Sequence, residues 1–303
     1  MLDKATVLTT IFTIVDDTMK GSAVLQQALK RPGPVPRLSD SEVVTIALSQ
    51  ELIGEPREDH FFRLHRASLL PFFPELNERS RYNRRKRDLW SVILAVRVSL
   101  QLVQEGLQVE ETAAIDSAPV PCVSDKRGKG VSDFVGTADY GVCSSKAMKD
   151  FGFKLHSVVS LTGLILGFLL TPASRYDKQP VVELLGSFSH HRERLLGEGA
   201  YNDAALESYL QQFRSVQLLA PAKSNQTPKR SPSAHKQLNR LRLISETVNA
   251  QGPRAIAPVQ ALRAIRTWSL MTRIAAKVTA HRIGMMVNSL LGRPALKLAD
   301  LAV

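Results

Sequence analysis

The stretch FKLHSVVSLTGLILGFLLTPA, residues 153–173, constrains the fold more than any other part of the chain. Two apolar runs flank Thr162-Gly163, and the second is broken by Gly167. Neither run approaches the roughly 18 apolar residues that a membrane-spanning helix needs. Short apolar runs on either side of a Gly-containing turn read as a buried β-hairpin. Residues 153–161 form one strand, Thr162-Gly163 the turn and 164–170 the other.

A buried hairpin needs partners, and the flanking sequence supplies them. Residues 112–115 read as a short strand whose end delivers Asp116. Residues 124–150 are rich in Gly, Ser and Lys without an apolar period, and read as a loop. Beyond the hairpin come a helix over 177–189 with Asp177 as its cap, a strand over 194–197 followed by Glu198, and a helix over 202–213 capped by Asn202 or Asp203. A strand over 216–221, a basic Pro-containing loop and a helix over 238–250 complete the pattern. Strands alternating with helices argue a mixed α/β sheet. An antiparallel start followed by two βα-linked strands is the RNase H-like order, here with five strands and flanking helices. Residues 106–252 would form this core, after a helical region over 1–105 and before basic helices over 253–303.

The helical region shows its own signals. Ser39-Asp40-Ser41-Glu42 after the Pro-rich RPGPVPR opens a capped helix. Further on, Arg79, Arg81, Arg84, Arg85, Lys86 and Arg87 crowd around Tyr82. Such a cluster can grip phosphates through its cations and stack a base on its ring. It can equally be a charged surface facing acids.

Charge is unevenly placed. From Lys223 onward there are 14 Lys and Arg against Glu246 and Asp300, a surplus of 12 that equals the net charge of the whole chain. A terminal patch of this kind attracts a polyanion, most often nucleic acid. Cys122 and Cys143 fit neither a disulfide framework nor a zinc motif, which suits a reducing cytoplasm. The first twenty residues lack the form of a secretory signal.

Three acids stand at junctions where a sheet could gather them: Asp116 after the first strand, Glu198 after the fourth, and Glu246 on the last core helix. Hard divalent cations take carboxylate oxygens, and two such ions about 4 Å apart can drive phosphodiester cleavage. Arg242 lies one helical turn before Glu246, placed either to pair with it or to bind a phosphate. Lys154 and His156 share one strand face and are further candidates to approach a phosphate.

The segments around these residues resemble a known family. Ala114-Ile115-Asp116-Ser117 resembles the strand bearing the first acid of DDE-type insertion-sequence transposases, and Phe153-Lys154-Leu155-His156 resembles their "gYKlH" strand. Residues 163–173 resemble "G.p..f.ltpa" and 196–201, Leu-Gly-Glu-Gly-Ala-Tyr, resemble "lgDkgY". Arg242 through Val248 resembles the "R..iE..f" helix. Eighty-two residues separate Asp116 from Glu198, and 48 separate Glu198 from Glu246. The chain is most similar to the insertion sequence nine-eight-two family.

The resemblance implies a bacterial, nucleoid-associated enzyme. It would bind the terminal repeats of its element, cleave there with two Mg²⁺ or Mn²⁺ ions, and join the 3′-OH to target DNA as a homodimer. Asp116, Glu198 and Glu246 would be both the catalytic residues and the metal ligands. Arg242, Lys154, His156, Arg84, Arg85 and Arg87 would contact DNA. No membrane and no small-molecule substrate are implied. The chain departs from the family pattern at Glu198, where the family has Asp, and at Gly199-Ala200 and Asn249. Alternative readings are an impaired relative that only binds DNA and an RNase H-like metal nuclease without a joining step.

Overall fold

A computed structural model describes residues 3–105, 110–123, 133–143, 148–187, 193–221 and 266–302. They fall into two compact units, Met1–Gln104 with Gly252–Val303, and Glu105–Gln251.

In the second unit the hairpin forms as the sequence predicts and organises a mixed sheet. Its strands are β1 (Thr112–Val123), β2 (Asp139–Cys143), β3 (Met148–Ser160), β4 (Ile165–Pro172), β5 (Arg194–Leu196) and β6 (Gln217–Leu219). The β3–β4 turn rests on Gly163, whose φ of +90° is a conformation that a Cβ disfavours. The Ser160 carbonyl accepts from Gly163 N at 3.0 Å, and its hydroxyl accepts from Leu164 N at 3.0 Å. Glu110 clasps the same turn, accepting from Leu161 N at 2.7 Å and from the Thr162 hydroxyl at 2.6 Å.

β3 is the central antiparallel strand. One of its edges carries β1; the other carries β2 along residues 148–152 and β4 along 153–159. β5 pairs parallel with β1, and β6 parallel with β5. The sheet is thus five strands wide in the order (β2/β4)–β3–β1–β5–β6, the RNase H-like arrangement.

Two strand readings need correction. The region expected to be a loop contains β2 and the start of β3. β2 lacks a long apolar run but is paired by register, with Tyr140 opposite Phe151 and their rings 5.1 Å apart edge to face. The first strand does not end at Asp116 but continues to Val123. Its pairing with β5 stops at Ala114, whereas its pairing with β3 runs on to Val123. Pro119 and Pro121 therefore lie past the last β5 partner, where a missing N–H is tolerated.

Two short helices cover one face. α7 (Val181–Gly186) and α8 (Ala204–Arg214) pack Val181, Leu184 and Leu210 onto Ala113, Ile115 and Val158. Asp203 caps α8, accepting from Leu206 N at 3.0 Å, and also pairs with Lys178.

The first unit is helical. It contains α1 (Lys4–Gly21), α2 (Ala23–Ala28), α3 (Asp40–Ile53), α4 (Glu58–Leu69), α5 (Arg79–Asp88), α6 (Trp90–Glu105) and α9 (Thr267–Leu290). The expected cap of α3 is a full capping box: Glu42 N donates to the Ser39 hydroxyl, and Ser39 N to Glu42 Oε2. Among the described residues no helix is long and apolar enough to cross a membrane.

α9 carries much of the described basic tail, yet it lies in the core of this unit. Lys277, His281 and Arg282 are buried. Arg273 and Lys277 both pair with buried Glu51, at 3.1 and 3.0 Å. Arg282 donates to the Leu100 carbonyl at 3.1 Å, and the Thr279 hydroxyl to that of Ile93 at 3.0 Å. The charge of this helix is spent inside the protein rather than presented as an open basic face.

Candidate active site

Strand register sets where Asp116 and Glu198 stand in the chain. β1 and β5 run parallel with Ala113 beside Leu195 and Ala114 beside Leu196. Two residues beyond this last pair stand Asp116, still within β1, and Glu198, just past the end of β5. Both carboxylates are half-buried. Beyond Leu196 the chain turns into a single 3-10 turn, Gly199–Tyr201, with Glu198 at its N-terminal boundary and the Glu198 carbonyl accepting from Tyr201 N at 2.9 Å.

Gly197 makes this turn possible. A Cβ there would lie 2.9 Å from Tyr201 Cβ and 3.0 Å from its ring, closer than side chains pack. Tyr201 itself is 1% exposed, and its hydroxyl makes no hydrogen bond of normal geometry. Burial, with the negative charges of Asp177, Asp116 and Glu198 close by, holds the phenol well above its ordinary range, so it stays a neutral donor.

The opposite face of β1 carries a second polar group. Ser117 donates through its hydroxyl to Asp177 Oδ1 at 2.9 Å, while its N–H donates to Asp116 Oδ1 at 2.7 Å. Lys154 of β3 pairs with the same Asp177 oxygen at 2.9 Å and donates to the Arg175 carbonyl at 2.9 Å. Asp177 was expected to cap a helix, but α7 begins at Val181 behind Pro180, and Asp177 sits in the preceding turn. Sequence reasoning misassigned the place of this acid. Its position four residues before the helix carries no signal that it turns back onto β1.

His156 lies opposite Ser117 in the β1–β3 register and is fully buried, its Nε2 2.9 Å from the Thr171 hydroxyl. Burial, then the charges of Lys154 and Arg175 against that of Asp177, bring the imidazole down to about 4, so the ring is neutral. A fully buried ring cannot touch a phosphate, which removes His156 from direct contact with DNA. Lys154 shares its face and is engaged by Asp177.

The basic helix α5 divides by exposure. Arg79, Arg81 and Arg84 are exposed. Arg85 is half-buried and paired with Asp40, Arg87 is half-buried, and Lys86 is buried against Glu58. Tyr82 is fully buried with its ring 5.0 Å from that of Phe62, so it is unavailable to stack on a base. Glu246 and Arg242 lie outside the described residues.

The donor chemistry suits a hard cation: one carboxylate within β1 and one just past the end of its parallel neighbour β5. Among the described residues no three Asp, Glu, His or Cys side chains stand close enough together to hold a metal ion. The third expected ligand, Glu246, is not among them.

A family model described as "Transposase DDE domain" matches residues 107–259. No curated protein matches the chain. Among solved structures, a piggyBac transposase synaptic complex with hairpin DNA aligns over 100% of this chain and 80% of its own, with 11% identity and a TM-score of 0.49.

Proposed function

Because the chain belongs to the transposase DDE domain family, we propose that it is a DNA transposase that cleaves at the ends of its own element and joins the resulting 3′-OH to target DNA. The observation that supports this most is the β1–β5 register, in which Asp116 stands two residues past Ala114 and Glu198 two residues past its partner Leu196. Asp116, Glu198 and Glu246 would hold Mg²⁺ or Mn²⁺. When bound, such ions activate the attacking oxygen and stabilise the leaving one. Asp116 is held by the Ser117 N–H. Glu198 is carried on a turn braced by the Gly197–Tyr201 contact. The neutral Tyr201 hydroxyl would be a buried donor in the field of Asp177, Asp116 and Glu198. Exposed Arg84, with Arg79 and Arg81, would neutralise DNA phosphates; Arg242 would do the same or orient Glu246. Two copies would act together, since two element ends must be paired.

One observation favours a second reading, an impaired relative that binds DNA without cutting it. Glu198 is one methylene longer than the aspartate of the family pattern, and Mg²⁺ requires near-ideal octahedral geometry. The test is strand cleavage and transfer on duplexes carrying the element's ends, with Mg²⁺ and with Mn²⁺, comparing the natural chain with Glu198→Asp and Asp116→Ala. Activity that Asp116→Ala abolishes supports the transposase. Activity gained only in Glu198→Asp supports the impaired relative. Cleavage without joined products points instead to a nuclease.

A further inference from the structure

Asp116 lies in β1 and Asp177 in the turn before α7, and Ser117 connects them. Its N–H serves Asp116 at 2.7 Å and its hydroxyl serves Asp177 at 2.9 Å. Asp177 is fixed in turn by Lys154 at 2.9 Å, and Lys154 is fixed by the Arg175 carbonyl. The turn that bears Asp177 is closed in both directions between Tyr176 and Gln179: Tyr176 N donates to Gln179 Oε1, and Gln179 N to the Tyr176 carbonyl. A continuous chain of polar contacts therefore runs from β3, through the turn before α7, to the residue beside Asp116.

This chain matters because β1 has lost its β5 partner at this level; the last pair is Ala114 with Leu196. A serine hydroxyl is also a free rotor that donates to any acceptor in reach. Anchored on Asp177, it fixes the backbone at 116–117 and with it the N–H that Asp116 accepts.

We propose that Asp177 is a positioning residue for DNA cleavage, acting through Ser117 to set the Asp116 carboxylate for its cation, with Lys154 as the anchor of Asp177 rather than a DNA contact. The inference rests on the reading of Asp116 as a metal-binding acid. A misplacement of about 1 Å at a reacting group costs on the order of 10²-fold in rate, which sets the scale of the effect.

The test uses the full chain with Asp177→Ala, Asp177→Asn, Lys154→Met and the double variant Asp177→Ala/Lys154→Met. Asn retains an Oδ1 acceptor for Ser117 but loses the charge that holds Lys154. Three quantities are read: Mn²⁺ binding without DNA, affinity for a duplex carrying an element end, and single-turnover cleavage of that duplex. Asp177→Ala is expected to weaken Mn²⁺ binding and slow cleavage by about ten- to a hundredfold, with DNA affinity within about twofold. Asp177→Asn should recover part of both losses. The double variant should be no worse than Asp177→Ala, because the two residues act in one chain. Mn²⁺ binding and cleavage at natural levels in Asp177→Ala would overturn the proposal. So would a loss of DNA affinity in Lys154→Met without loss of Mn²⁺ binding. Asp116→Ala run alongside separates the two readings. If it too binds Mn²⁺ and cleaves normally, the assignment of Asp116 fails and takes this inference with it. If it is inactive while Asp177→Ala is normal, only the inference about Asp177 fails.

Discussion

Lys277 of α9 pairs with Glu51 of α3 at 3.0 Å, and both side chains are almost wholly withdrawn from water. Arg273 reaches the same carboxylate. Removing one partner of a buried ion pair strands the others without compensation, which typically costs about 3–5 kcal/mol. Glu51→Ala should destabilise the helical unit by that amount in urea unfolding. A loss below about 1 kcal/mol would mean that the pair is solvated and that α9 is not core.

The same carboxyl makes stability depend on acid. Burial pushes Glu51 up, but Arg273 and Lys277 outweigh it and hold it below its ordinary value of 4.5. A carboxyl depressed in the folded state contributes stability above its unfolded value, lost as pH falls through the folded one. Glu51→Gln should therefore flatten the acid limb of stability below about pH 4.5. An unchanged limb would show that the charge of Glu51 is not what the fold uses.

His281 predicts a gain rather than a loss. Its ring is buried and neither nitrogen has a hydrogen-bond partner. Burial first, then the charges of Arg282 and Arg97, lower it to about 4 from an ordinary 6.5. Between those two values the unfolded chain takes up a proton that the folded chain refuses, so stability falls as pH drops through that window. Leu has no polar atoms to bury unpaired. His281→Leu should stabilise the chain by about 1–3 kcal/mol, more at pH 5 than at pH 7, by denaturant titration at both. Destabilisation at both values would show that the imidazole is satisfied in solution.

Gly197 links the sheet to the candidate site. Gly197→Ala places a methyl 2.9 Å from Tyr201 Cβ, an overpacking that typically costs about 1–3 kcal/mol. The turn bearing Glu198 should shift with it. The expected result is a lower unfolding midpoint together with slower cleavage. Full activity at a lowered midpoint would separate the turn from the chemistry.

Much of this architecture was legible because its signals are local. Gly163 marks the β3–β4 turn, Ser39 and Glu42 announce α3, and Asp203 announces α8. What escaped depends on partners far along the chain. β2 is a strand because β3 offers Tyr140 a ring at Phe151, not because it has a strong pattern of its own. Pro119 and Pro121 resemble strand breakers until β5 is seen to stop beside Ala114. The basic residues of α9 look like a nucleic-acid surface until Glu51, more than two hundred residues earlier, is found facing them. For the candidate site, the neighbouring letters single out Asp116 and Glu198, whereas nothing around Asp177 signals its contact with Ser117. Pro180 delays the helix to Val181 and leaves Asp177 to turn back onto Ser117.

The most direct measurement is single-turnover cleavage of a duplex carrying the element's end, with Mg²⁺ and with Mn²⁺, by the natural chain, Asp116→Ala and Glu198→Asp. The account predicts metal-dependent cleavage by the natural chain, loss of at least about a hundredfold in Asp116→Ala, and retained or improved cleavage in Glu198→Asp, most visibly with Mg²⁺. Metal-dependent cleavage that persists undiminished in Asp116→Ala would contradict it.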